Sequence, residues 1–184
     1  MNCVEEFKLL GLKLSSNLSW NSHINYIIKK ANSRIWTIIR LKNNRVATHT
    51  LIKMYQLRVR SLLEFMVPAF AGSLSQNHIR SIERVQKRYL KCILGKEIFT
   101  NKSYLEVCKS LGMKTLQERR NKICIKFVKR SLKHHPDLFP VSNNYKKTRK
   151  GKQMFLKVPK SKTKRYDISA RVFLPRLYNS TLQK

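Results

Sequence analysis

The sequence predicts a mainly α fold: a helical bundle with a short N-terminal β element and a basic, partly disordered C-terminal tail. Three observations lead there. Apolar residues recur at three- and four-residue spacing through most of the chain, which is the period of a helix with one buried face. Only the stretch FKLLGLKL near the start carries the short, glycine-punctuated apolar pattern of a strand or of two strands and a turn. Beyond residue 140 the aliphatic residues thin out and lysine takes over. With 184 residues, 42% of them hydrophobic, the chain can build one cored domain, or one domain and a tail.

The elements follow in order. Phe7–Leu14 suits one strand, or two short ones turning at Gly11, because glycine accepts the backbone angles of a tight turn. Ile24, Ile27, Ile28, Ala31, Ile35, Ile38 and Ile39 then mark a first helix, with Asn21 or Ser22 as its cap. A second helix fits Thr48–Met66, burying Leu51, Met54, Tyr55, Val59, Leu62 and Leu63 and ending at Pro68 and Gly72. The third starts at a Ser75 cap, buries Ile79, Ile82, Gln86, Leu90 and Ile93, and stops at Gly95. A short helix follows near Ser103–Leu111. Thr115 and Glu118 have the spacing of a capping box that opens a fifth helix, which Pro136 closes. From Pro140 to Arg165 there are ten Lys+Arg and no acid, so too little apolar surface is available to offset ordering, and the segment is expected to be mobile without a ligand. The last piece, SARVFLPRLYN, regains apolar side chains that can dock on the helices. The expected divisions are 1–20, 21–139, 140–165 and 166–184.

Charge narrows the partner. Forty Lys+Arg against nine Asp+Glu give a formal net charge of +31, at which self-repulsion opposes compaction unless a polyanion neutralises it. Placed at 100° per residue, Arg80, Arg84, Lys87, Arg88 and Lys91 fall on one face of the third helix, opposite its apolar stripe. Arg119, Lys122, Lys126, Lys129, Arg130 and Lys133 do the same on the fifth. Rows of this kind can follow a phosphate backbone and release its counterions. On the first helix Tyr26, Lys29, Ser33, Trp36 and Arg40 lie away from the isoleucines, an interleaving of aromatics and cations that suits stacking on exposed bases. No apolar run approaches the ~20 residues of a membrane span, and the acids in Met1–Leu14 do not suit a signal peptide. An intracellular protein, nuclear or cytoplasmic and not secreted, is expected.

Independent catalysis is not expected. Metal-assisted nucleotidyl transfer needs clustered carboxylates, whereas the two aspartates, Asp137 and Asp167, stand apart in sequence. Phosphate-cradling G-x-x-x-x-G-K and nucleophile G-x-S-x-G patterns are missing. His135-Pro136-Asp137 has the H-x-D form that starts an iron triad, but no later histidine completes it. Cys3, Cys92, Cys108 and Cys124 show no zinc spacing and are expected to be buried thiols in a reducing compartment. His23 is expected to be a structural contact. No catalytic residue, metal site or cofactor is assigned.

Several motifs resemble one family in chain order. FKLLGLKLSSNLSWNSHI, with Leu10-Gly11 and Leu18-Ser19-Trp20-x-x-His23-Ile24, resembles the segment just after the catalytic palm of reverse transcriptases from non-LTR (LINE-like) retrotransposons. Leu63-Glu64-Phe65-Met66-Val67-Pro68-Ala69-Phe70 is similar to that family's L-E-Y-x-x-P-V-W, and Glu83-Arg84-Val85-Gln86-Lys87-Arg88 to its E-x-V-Q-x-R, followed by Ile93-Leu94-Gly95 as I-L-G. Leu111-Gly112, Leu116 and Arg119-Arg120 resemble L-G-x-x-x-L-x-x-R-R. Phe173-x-Pro175-x-x-Tyr178-Asn179 is similar to the family's closing motif. Phe70 and Tyr178 stand where the family often has tryptophan.

The resemblance implies that Phe7–Leu14 is a primer-grip hairpin, with Leu10 and Gly11 as its grip positions, and that the first three helices form a thumb lying along the template–primer duplex. It also implies that fingers and palm, with their paired aspartates and Mg²⁺, lie upstream of Met1, so the chain would be a truncated copy or a fragment. The expected function is to bind RNA, RNA–DNA or DNA duplex through phosphates, without catalysis of its own. Lys29, Arg40, Arg80, Arg84, Lys87, Arg88, Lys91, Lys122, Lys126, Lys129 and Lys133 are the expected contacts. The alternative is a basic ribosome- or chromatin-associated RNA-binding protein unrelated to polymerases.

Overall fold

A computed structural model describes residues 5–148 and 151–183. The fold is mainly helical, with a short N-terminal β element and a basic C-terminal region, and it divides into two compact units. The first takes in Met1–Met66 and Leu74–Glu118, the second Val67–Ser73 and Arg119–Lys184.

In the first unit, β1 (Glu6–Leu9) and β2 (Leu12–Ser15) pair antiparallel with Leu9 opposite Leu12. Leu10 and Gly11 form the two-residue turn at φ +46° and +86°, the doubly left-handed geometry whose twist matches that of the flanking strands. Of the two strand readings the sequence allowed, the hairpin is the one adopted. α1 (Asn21–Asn43) buries Ile24, Ile27, Ala31, Ile35 and Ile38. Its cap differs from expectation: Trp20 is the N-cap residue and its side chain makes no capping hydrogen bond, while the Ser22 hydroxyl turns to Glu6 on β1. His23 is buried, accepts the Lys13 N–H at Nδ1 (3.3 Å) and meets Trp20 edge-on, as a structural contact does.

The second helix is one rod in three parts: α2 (Thr48–Tyr55), a π-helical turn (Gln56–Arg60) and α3 (Ser61–Glu64). The extra residue of the π turn keeps Val59 and Leu63 on the side that buries Leu51 and Tyr55. The rod stops at Glu64, earlier than Met66, because Phe65 is extended and Met66 takes φ +52°. α5 (Gln76–Leu94) matches its expected bounds closely. Ser75 accepts the His78 N–H while His78 Nδ1 accepts the Ser75 N–H, so both end donors are satisfied. At its other end Gly95 takes φ +97° with an extended ψ of 160°, so the terminator is glycine-dependent without being the usual left-handed cap. α6 (Ile98–Asn101) and α7 (Tyr104–Ser110) follow, the latter capped reciprocally by Ser103 and Glu106.

Polar groups tie this core together. Tyr55 and Tyr89 stack with ring centroids 4.4 Å apart. Tyr89 donates to Leu51 O (2.6 Å) and Tyr55 to Gln86 Oε1 (3.0 Å). The Gln86 amide in turn donates to Lys114 O (3.2 Å). Glu83 accepts the Tyr104 hydroxyl (2.7 Å) and the Gln117 N–H (2.6 Å), fixing α7 and the first turn of α8 (Leu116–His134) on α5. The Glu118 N–H bonds Thr115 Oγ1 (3.1 Å), as the capping spacing predicts.

In the second unit α8 turns Cys124 and Val128 inward, together with Arg120, a buried cation that helical periodicity did not single out. After the Pro136–Leu138 turn, β3 (Val141–Thr148) and β4 (Gly151–Leu156) form an antiparallel hairpin with an irregularity between Val141 and Tyr145. The 140–165 stretch, expected to be mobile without a ligand, thus carries a paired hairpin over part of its length. The ladder satisfies backbone groups without requiring a core, and among the segment's described residues only Leu156 is buried. Leu156 is also where the hairpin is anchored: Asn179 on α10 (Ala170–Gln183) donates to its carbonyl and accepts its N–H, both at 2.9 Å. A short α9 (Lys164–Asp167) precedes α10, with Asp167 accepting from Arg176 at 2.7 Å. α4 (Val67–Phe70) and the Ala71–Ser73 turn pack on α10, where a Cβ at Gly72 would lie 2.5 Å from Ile168 O and 2.6 Å from Phe173 Cβ. The apolar C-terminal piece therefore docks on helical and β neighbours within its own unit.

Cys108 and Cys124 are buried and Cys92 half-buried, while Cys3 lies outside the described residues. Burial pushes the Cys124 thiol up to about 11, with Arg120 pulling weakly the other way. No helix among the described residues is long and apolar enough to cross a membrane.

Candidate nucleic-acid interface

The buried side of α5 is formed by Ile82, Val85, Gln86, Tyr89, Leu90 and Ile93. At 100° per residue, Arg80, Arg84, Lys87, Arg88 and Lys91 lie on the opposite arc, and all five are exposed. Which arc faces solvent is fixed by the Tyr55–Gln86 and Tyr89–Leu51 hydrogen bonds, which would break if the helix turned about its axis.

α1 packs beside α5 and runs in the same direction, since Trp36 meets Arg88 and Lys42 Nζ donates to Cys92 O (2.8 Å). Between them lies a groove of about 580 Å³. Arg84, Lys87, Arg88, Lys91 and Lys96 surround it, Ile28 and Val85 supply apolar surface, and no acid contributes to its lining. The Arg88 guanidinium sits 5.8 Å from the centre of the Trp36 ring, whose residue is 58% exposed. Lys29 and Arg40 are exposed on the adjoining arc of α1.

A second cationic group lies at the hairpin. Lys8, Lys13 and Lys30 place their ammonium nitrogens 5.6, 5.2 and 5.6 Å from the centre of the Tyr26 ring. Lys30, hydrogen-bonded to the phenol at 3.4 Å and aided by the charge of Lys8, holds Tyr26 below the ordinary phenol value. Tyr26 is thus a collar for lysines, where the sequence suggested a partner for bases. At the tip Leu10 is 77% exposed, and a Cβ on Gly11 would lie 3.2 Å from the Phe65 ring.

The remaining residues fall out as follows. Lys122, Lys126, Lys129 and Lys133 are exposed along α8 in the second unit, with Arg130 beside them and Arg119 half-buried. Within the first unit the structure gathers Arg84, Lys87, Arg88 and Lys91 on one groove; Lys29, Arg40 and Arg80 stand exposed without lining it. Lys96, just past the helix end, and the lysine collar of Tyr26 were missed by sequence reasoning, because both depend on how separate elements meet. Within the E-x-V-Q-x-R stretch, Glu83, Val85 and Gln86 serve the core and Arg84 and Arg88 the surface. His135 precedes the Pro136–Leu138 3₁₀ turn and Asp137 lies within it, and among the described residues no group of three or more His, Cys, Asp or Glu side chains is placed to hold a metal ion.

No protein-family model, curated protein or solved structure matches the chain.

Proposed function

We propose that the chain binds template–primer nucleic acid, an RNA–DNA or DNA duplex or RNA, as a thumb-like piece of a non-LTR retrotransposon reverse transcriptase, working inside the cell, in nucleus or cytoplasm, and performing no catalysis itself. The observation that carries the reading is the acid-free groove beside α5, where Arg84, Lys87, Arg88 and Lys91 project from a helix whose rotation the core fixes and Lys96 adds a fifth cation from just past its end. Such a row can neutralise phosphates along a backbone, and contacts to phosphates carry no base information. On this reading the Leu10–Gly11 tip takes the place of a primer grip, and the row along α8 adds further phosphate contacts.

The test is binding of a labelled RNA–DNA duplex to the purified chain across a salt series, together with primer extension in Mg²⁺. Steeply salt-dependent binding with no incorporation is expected. Indifference to duplex at low ionic strength, or nucleotide incorporation by the chain alone, overturns the proposal. The competing reading, a basic RNA-binding protein acting through its C-terminal region, has the exposed Lys147 and Lys152 of the β3–β4 hairpin in its favour, with Lys152 4.7 Å from the centre of the Tyr145 ring. It expects charge removal on that hairpin to abolish RNA binding while charge removal on α5 leaves it intact.

A further inference from the structure

Phosphate binding leaves part of the groove unexplained. A row of cations serves a duplex backbone without any apolar surface beneath it, yet Ile28 and Val85 line this groove, and the α1 positions that face α5 run on through Asn32 to Trp36 at four-residue steps. Trp36 keeps more than half its surface in water although burial of an indole is strongly favourable. Trp36 is not itself part of the groove's lining; Arg88, which is, links the two, its guanidinium 5.8 Å from the ring centre, as a cation drawn to an indole face lies. At about 580 Å³ the space lies within the range of about 300–1,000 Å³ for small-molecule pockets.

We propose that the α1–α5 groove seats an unpaired nucleobase of a single-stranded segment: the base stacks on Trp36 over the Ile28 and Val85 surface, and its flanking phosphates are held by Arg84, Arg88 and Lys91. The inference rests on the nucleic-acid reading above and deepens it, making the site one for a strand that leaves a duplex or has none. The ligand's chemistry follows from two features together. Five cations and no acid on the lining call for an anion, and an apolar floor beside an exposed indole calls for a flat aromatic group attached to it. Phosphate alone makes no use of the floor, and a paired base cannot reach it. Stacking of this kind tolerates any base, so no sequence preference arises.

The experiment compares an oligothymidylate, an abasic strand of the same length and charge, and a blunt duplex, all at one salt concentration. The wild-type chain is expected to prefer the base-bearing strand over the abasic one by about 5- to 100-fold, the range that stacking of one base supplies. Trp36→Ala is expected to bring that ratio near one, lowering affinity for the base-bearing strand by more than that for blunt duplex; Trp36→Phe, which retains a ring, keeps most of the preference. Because Trp36 is exposed, circular dichroism of the variants checks that the fold is retained. Equal binding of the two strands by the wild-type chain, a preference that survives Trp36→Ala, or an equal loss on all three ligands overturns the inference. If blunt duplex binds while the strands do not differ, the groove assignment fails and the proposed function stands. If the base-bearing strand is preferred while blunt duplex is ignored, the reverse holds.

Discussion

Replacing Arg84 and Arg88 together by alanine removes two of the five exposed cations in the α5 row and touches none of its buried face. Each phosphate neutralised on B-form DNA adds about 0.9 to the slope of log affinity against log salt. If all five residues of the row engage phosphates, they contribute a slope of about 4.5, and the double variant keeps about 2.7 of it. Between 50 and 200 mM salt, a fourfold change, the row alone then accounts for a loss of about 500-fold in the wild-type chain and about 40-fold in the variant. Fluorescence anisotropy with labelled DNA duplexes of several sequences measures both slopes. The fall of about 1.8 is expected to be equal across sequences, since phosphates carry no base information. Thermal melting serves as the control for folding: loss of the Arg88–Trp36 contact costs about 0.5–1 kcal/mol at an exposed site, too little to unfold the unit. An unchanged slope, or a loss confined to one sequence, refutes the assignment of the row to the phosphate backbone.

Three further outcomes are expected. Burial lowers the His23 pKa below 6.5, and its Nδ1 accepts the Lys13 N–H, so the folded state resists protonation there; the associated stability is present above pH 6.5 and is lost as pH falls from that value through the folded-state pKa. Urea denaturation at pH 7.5 and pH 5 detects the loss, and His23→Gln is expected to flatten it; an equal pH dependence in both chains contradicts the linkage. Gly11→Ala puts a side chain at φ +86° and 3.2 Å from the Phe65 ring, and is expected to destabilise by about 1–2 kcal/mol in chemical denaturation, while an unaltered midpoint means the turn adopts another geometry. Asn179→Ala leaves the Leu156 N–H and carbonyl without their side-chain partner, for a loss of about 1–3 kcal/mol and faster hydrogen exchange at the Leu156 amide; unchanged exchange there shows that the hairpin is held by other means.

The helices were legible where one residue type could do one job. Isoleucine spacing on α1, serine before α5 and glycine after it each act locally, and the structure uses each of them. The α1 cap was misread because a hydroxyl bonds whichever acceptor or donor lies nearest, and the β1 carboxylate, distant in sequence, reaches Ser22 first. A π turn within the second helix leaves the hydrophobic period almost intact and so is invisible to spacing. The β3–β4 hairpin escaped because composition reports what a segment can bury, and this one buries almost nothing; its order comes from ladder hydrogen bonds and one asparagine. Of the candidate site, the α5 row could be read from periodicity alone. The groove and the lysine collar of Tyr26 could not, since each needs the relative placement of two elements that the sequence presents far apart.

What turns a solvated row of charges into a candidate site is the polar core behind it. A leucine-only interface permits a helix to rotate or slide by a residue at small cost, because apolar contacts are non-directional. Gln86 and Tyr89 remove that freedom: one is clamped between the Tyr55 hydroxyl and the Lys114 carbonyl, the other donates to Leu51 O while stacking on Tyr55. A slip of one residue rotates α5 by about 100°, leaves buried polar atoms without partners at about 1–3 kcal/mol each, and turns Arg84 and Arg88 away from Trp36. The same hydrogen bonds that reward one packing arrangement therefore set where the cations stand relative to the indole and to each other. Placement of that kind is what a repeating phosphate backbone requires, whereas a diffuse basic surface needs no fixed rotation at all.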